Sequence, residues 1–165
     1  MRETIIPERV RIYAIQAMTG TPKVLARLLH DIRASEADGR PDPARFTIRE
    51  AVAHLADWEP IWLGRFRAII EEDRPFLPGY DEGQFAVDRN YADSDPVEQA
   101  MRFAEGRAAL ASYVANVPLE DWNRVGFHGE MGEITFGSLV TLLLAHDGYH
   151  LKQVVEFRYE SIEMR

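Results

Sequence analysis

At 165 residues the chain is long enough to close one hydrophobic core and fits a single domain spanning residues 1–165. Apolar residues make up 46% and charged residues 28%, which excludes a disordered chain, and no apolar run approaches the roughly 18 residues of a membrane span. The 19 basic and 27 acidic residues give a net charge of −8 with no basic cluster, which argues against nucleic acid as a partner.

The N-terminal stretch has charges scattered through it and no apolar signal core, so the expected location is the cytoplasm, with no membrane partner. From about Glu8 to Arg33, Val10, Tyr13, Ala14, Met18, Leu25, Leu28, Leu29 and Ile32 recur at helical spacing. Gly20 and Pro22 interrupt that pattern and predict either a kinked helix or two short ones. Ala34 to Arg45 is polar and carries Gly39, Pro41 and Pro43, as a connection does.

A second helix opens at Thr47, whose hydroxyl and Glu50 form a capping box, and runs to about Glu72 through Val52, Leu55, Trp58, Trp62, Phe66 and Ile69. Arg74 to Ser94 is irregular but rich in aromatics, which predicts a loop packed across a cleft. A third helix starts at the capping Asp95 with Pro96 in its first turn and ends before Pro118. Arg124 to Ile134 alternates loosely around Gly129 and Gly132, so a short β-hairpin or irregular segment precedes the last helix, Phe136 to Arg158. The expected fold is all-α: an antiparallel four-helix bundle.

The chemistry lies in the five histidines, because the chain has no cysteine. His146 and His150 stand four residues apart on one helix face, where two imidazoles can converge on one ion. They continue the apolar stripe of Leu139, Leu143 and Phe157, so both face the core, where an unpartnered imidazole is costly. His54, inside the second helix, is the best third ligand. Three protein ligands leave positions open for water or substrate. Spacing alone leaves a metal site and a structural histidine pair about equally favoured.

The strings Phe46-Thr47-Ile48-Arg49-Glu50-Ala51-Val52-Ala53-His54-Leu55-Ala56-Asp57-Trp58-Glu59 and His146-Asp147-Gly148-Tyr149-His150-Leu151-Lys152-Gln153-Val154, with Phe127-His128-Gly129-Glu130 before the last helix, resemble the DinB-like superfamily of four-helix bundles. The resemblance implies that His54, His146 and His150 bind one divalent metal ion, commonly nickel or zinc, with iron or manganese compatible. It further implies a small-molecule substrate, a low-molecular-weight thiol as cosubstrate, and a homodimer. Members of that family include metal-dependent thiol S-transferases, a thiol-dependent isomerase and proteins assigned as hydrolases. The expected function is therefore thiol transfer or isomerisation. The alternatives are a metal-dependent hydrolase and a non-catalytic metal-binding stress-response protein.

Weaker site candidates complete the reading. Asp57 lies one turn after His54 and could reach the metal mouth. Gln153 lies one turn after His150 and could line the pocket. Arg107 could orient an anionic substrate or snorkel at the surface. Asp147 could fix an imidazole tautomer, with a surface salt bridge at least as well supported. His128 could overhang the site but is expected in an exposed loop, His30 in a structural role, and Trp58 and Trp62 in the core.

Overall fold

A computed structural model of the protein describes residues 8–160. Four long helices form the expected bundle: α1 (Glu8–Leu28), α3 (Ile48–Glu71), α5 (Pro96–Asn116) and α6 (Phe136–Val155). Two short helices, α2 (Ala34–Ala37) and α4 (Glu82–Asp88), sit in the connections. Three strands, β1 (Phe76–Leu77), β2 (Val125–His128) and β3 (Gly132–Thr135), make a small sheet in the order β1-β2-β3.

The caps read from the sequence form as expected. Thr47 accepts from the Glu50 N–H at 3.2 Å while Glu50 accepts from the Thr47 N–H at 2.8 Å. Asp95 accepts from the N–H groups of Val97 and Glu98 at the start of α5. The helix α1 runs unbroken through Pro22. Pro22 removes a donor from that turn, and the Thr21 hydroxyl donates to the Ala17 carbonyl at 3.0 Å, supplying a bond next to the gap.

Two arginines finish other helix ends. Arg124 donates to the Ile69 and Glu72 carbonyls at the end of α3. Arg158 donates to the carbonyls of Leu28, the last residue of α1, and of His30 just past it. Each places a cation where the helix dipole is negative.

The core has two apolar halves. One contains Met18, Phe66, Leu110 and Leu139; the other contains Leu25, Val52, Phe103 and Val154. Following these residues along each helix shows that α1 and α6 run one way, and α3 and α5 the other. The long connection from Glu72 to Asp95 carries the chain back, so that α5 lies parallel to α3. Both α1 and α3 pack against α5 and α6, which places α5 and α6 across the bundle from each other. No described helix is long and apolar enough to cross a membrane.

The expected hairpin is β2–β3, antiparallel with Phe127 opposite Glu133. The strand β1 adds to it in parallel, pairing Phe76 with Phe127 and Leu77 with His128. This brings the aromatic loop after α3 against the hairpin before α6, beside the histidines.

Candidate metal centre

Between the two apolar halves lies a polar layer. From α3 it takes His54 and Glu59, from α5 Arg107, and from α6 His146, Asp147 and His150. Residues His54, Glu59, Arg107, Asp147 and His150 are each at most 3% exposed.

His54, His146 and His150 converge, and one ring nitrogen of each lies within 4.8 Å of the other two. The Nε2 atoms of His54 and His146 are 2.8 Å apart. Burial, and then the nearby His150 and His146, push the His54 pKa down to about 2. Burial and the guanidiniums of Arg107 and Arg65 push His146 down to about 4. Burial and His146 push His150 down to about 3. All three rings are therefore neutral at pH 7, with lone pairs available to a metal.

The donor set suits an ion. A tetrahedral ion bonded at about 2.1 Å keeps its nitrogens about 3.4 Å apart, within the spread seen here. Without an ion, a His54–His146 hydrogen bond would satisfy one lone pair and leave the inward nitrogen of His150 without a partner. Among the described residues, Nδ1 of His54 and Nδ1 of His146, the nitrogens not facing each other, are buried with no partner.

Among the described residues, His150 alone of the three has an outer partner. Its Nδ1–H donates to Gln153 Oε1 at 3.1 Å, and Gln153 Nε2 in turn donates to the Phe46 carbonyl. That chain fixes the amide, the tautomer and the ring, leaving Nε2 of His150 for the ion. Aromatic rings close over the cluster: Phe46 and Trp58 lie 5.4 and 5.2 Å from His54, and Trp62 lies 5.7 Å from His146. Trp58 and Trp62 are thus core residues that also wall the site.

Two cavities open beside the cluster and meet at His146 and Glu82, which line both. The larger, about 310 Å³, is bounded by Arg45, Tyr149, His150 and Gln153. The smaller, about 110 Å³, is bounded by Trp58, Trp62, Arg65, Tyr80 and His128. The aromatic loop does pack across a cleft: Tyr80 meets Trp58 edge-on at 6.1 Å.

Several expectations need correction. Arg107 neither snorkels nor faces the cleft. Its guanidinium is 1% exposed and hydrogen-bonds both carboxylate oxygens of Glu59, at 3.0 and 2.7 Å, and those of Asp147. Burial works against its charge, yet the bonds from Asp147 and Glu59 outweigh this and hold its pKa above the ordinary value. Asp147 is accordingly no surface residue: one step past His146, it points across the core to α5. Asp57 does not reach the metal mouth either. It accepts from Tyr91 Oη at 2.6 Å and pairs with Arg89, beside a separate small cavity.

His128 is buried at 3% exposure, and its Nδ1 accepts from the Glu130 N–H at 3.3 Å. His30 is a surface residue, its ring 2.9 Å from the Asp31 carboxylate. His128 does overhang the site, and Arg65 and Glu82 beside it form a part of the cleft that spacing did not reveal. The nearest signal was the aromatic content of the loop that covers them.

Residues 17–154 match the profile of the DinB superfamily. The chain belongs to the DinB superfamily. A protein of Oceanobacillus iheyensis named as a candidate metal-dependent hydrolase is 24% identical over 141 residues, covering 85% of this chain and 81% of that protein. YfiT of Bacillus subtilis, named in the same way, is 23% identical over 156 residues, covering 94% of this chain and 87% of YfiT. A solved structure of YfiT, described as having an unusual four-helix bundle topology, superposes with a TM-score of 0.86 at 22% identity, covering 95% of this chain and 90% of YfiT. The DinB fold is therefore shared along nearly the whole chain.

Proposed function

We propose that the protein is a metal-dependent transferase that joins a low-molecular-weight thiol to an electrophilic small molecule. His54, His146 and His150 would hold one divalent ion, nickel or zinc. An ion with open positions supplies acidity, lowering the pKa of a thiol or of water that reaches it so that a nucleophile exists at neutral pH.

The observation that carries the reading is the pair of cavities meeting at His146. Two lobes flanking one reactive point suit two substrates held in reach of each other. The chain's own residues supply the frame. Gln153 holds His150 in its tautomer, while Trp58, Trp62 and Phe46 exclude bulk water. The thiol sulfur forms the new bond to the electrophilic carbon, its proton passes to solvent, and the leaving group departs with the bonding pair.

A second reading, hydrolysis, is favoured by the names of the relatives. It requires a general base, and most nearby carboxylates are committed: Asp57 to Tyr91, Glu59 and Asp147 to Arg107. Glu82, lining both lobes, and Glu130, lining the smaller one, are placed to serve, and Glu82 borders the His150 side as well.

The test is to incubate the zinc- or nickel-loaded protein with an aryl chloride electrophile, with and without cysteine or a related small thiol. Loss of the electrophile that needs both protein and thiol is the expected result. Hydrolysis of an ester panel without thiol, abolished in Glu82→Gln, would establish the second reading instead.

A further inference from the structure

Among the described residues, Arg65 is a buried cation without a counter-ion. It is 6% exposed, and its only hydrogen bond among the described residues runs from Nη2 to the Pro78 carbonyl at 2.7 Å. Its Nε–H is buried with no partner among those residues. Its guanidinium carbon lies 5.4 Å from the Trp58 ring, 5.4 Å from the Trp62 ring and 5.6 Å from the Tyr80 ring. Rings of this kind hold a cation in place but do not neutralise it. The contrast with Arg107, also buried but gripped by two carboxylates, is plain.

Arg65 lines the 110 Å³ lobe together with His146. His128 lines the same lobe, and because its Nδ1 accepts a backbone N–H, its proton sits on Nε2 as a second donor. Glu82 and Glu130 also line the lobe, yet neither forms an ion pair with Arg65. Burial holds the Arg65 pKa below its ordinary value, and the more distant Tyr80, Glu130 and Glu82 offset this only in part.

We propose that Arg65 and His128 form a subsite for a carboxylate of the substrate, set in the smaller lobe beside the three-histidine cluster. A planar carboxylate matches the guanidinium fork and would meet the donor that the chain leaves unmet. The lobe has room for a carboxylate and a few carbons. The carboxyl end would thus lie in the small lobe, with the bulk of the other substrate in the 310 Å³ lobe across His146.

The proposal rests on the metal reading only for anchoring the probe. Cobalt-loaded protein is titrated with mercaptocarboxylates of two, three and four carbons and with the matching mercaptoalcohols, read by thiolate-to-cobalt absorption. At least one acid is expected to bind about tenfold tighter than its alcohol, and Arg65→Gln to remove that preference while the alcohol binds as before. Arg65→Lys, which keeps the charge but loses the fork, should retain part of it.

Equal binding of acids and alcohols in the wild type, or a preference that survives Arg65→Gln, overturns the subsite. If no thiol gives a cobalt signal, the metal reading falls on its own. The subsite is then judged on metal-free protein from Trp58 and Trp62 fluorescence with butyrate against butyramide. A response to butyrate alone, lost in Arg65→Gln, supports it; none, or one shared by butyramide, overturns it.

Discussion

Gln153 Oε1 lies 3.1 Å from His150 Nδ1, one turn further along α6, and the Gln153 amide is in turn anchored to the Phe46 carbonyl. A side chain that touches no ion thereby sets which nitrogen of His150 faces the site. Gln153→Leu should weaken zinc affinity about 10- to 100-fold while the helices stay formed. Competition with a chromophoric chelator measures it, and unchanged affinity would show that the His150 ring needs no such support.

The buried Glu59–Arg107–Asp147 cluster ties three helices together. Arg107→Met leaves two buried carboxylates facing each other and should cost about 3–5 kcal/mol in urea unfolding. Replacing all three at once, with Glu59→Gln, Arg107→Met and Asp147→Asn, should cost less than Arg107→Met alone. A larger loss in the triple variant would mean that the ion cluster itself stabilises the fold.

Gly106 is what lets α5 approach Glu59. A Cβ there would stand 2.7 Å from Glu59 Cβ and 2.9 Å from Cγ. Gly106→Ala should therefore destabilise by about 1–3 kcal/mol despite its better helix propensity. Calorimetry showing a stabilised protein would contradict the close packing.

The pH dependence of the metal-free protein follows from the histidines. Their folded pKa values, about 2, 4 and 3 for His54, His146 and His150, lie below the ordinary 6.5 of an unfolded chain. Below about pH 6.5 the unfolded chain takes up protons that the folded one refuses, so stability is full above that pH and falls as pH drops. Each ring contributes a slope of up to about 1.4 kcal/mol per pH unit. Denaturation at pH 7, 6 and 5, run beside a His54→Gln/His146→Gln/His150→Gln variant, isolates this from carboxylate effects. Equal slopes in the two proteins would contradict the burial of neutral rings.

His146 and His150 were legible in the sequence because an i,i+4 pair on an apolar stripe is a local signal, whereas His54 was marked only by its place inside the second helix and by the family resemblance. The caps at Thr47 and Asp95 were legible as local signals too. The Arg107 cluster was not, since its partners sit 48 and 40 residues away on two other helices and no spacing rule links them. Strand β1 has two residues, too few to show alternation, and exists only because β2 offers it an edge. Pro22 left one kinked helix or two short ones open because propensity is local, whereas buried Met18 and Leu25 on either side of it hold α1 as one helix against its neighbours. The Arg65 lobe was invisible because α3, β2 and the aromatic loop meet only in the folded chain.

The central claim is that His54, His146 and His150 hold one divalent ion. Elemental analysis of untagged protein, run beside His54→Ala and His150→Ala, tests it most directly. The account predicts about one ion per chain in the wild type and loss of it in both variants. Full retention in both variants, or no ion in the wild type after reconstitution with zinc and nickel, would contradict it.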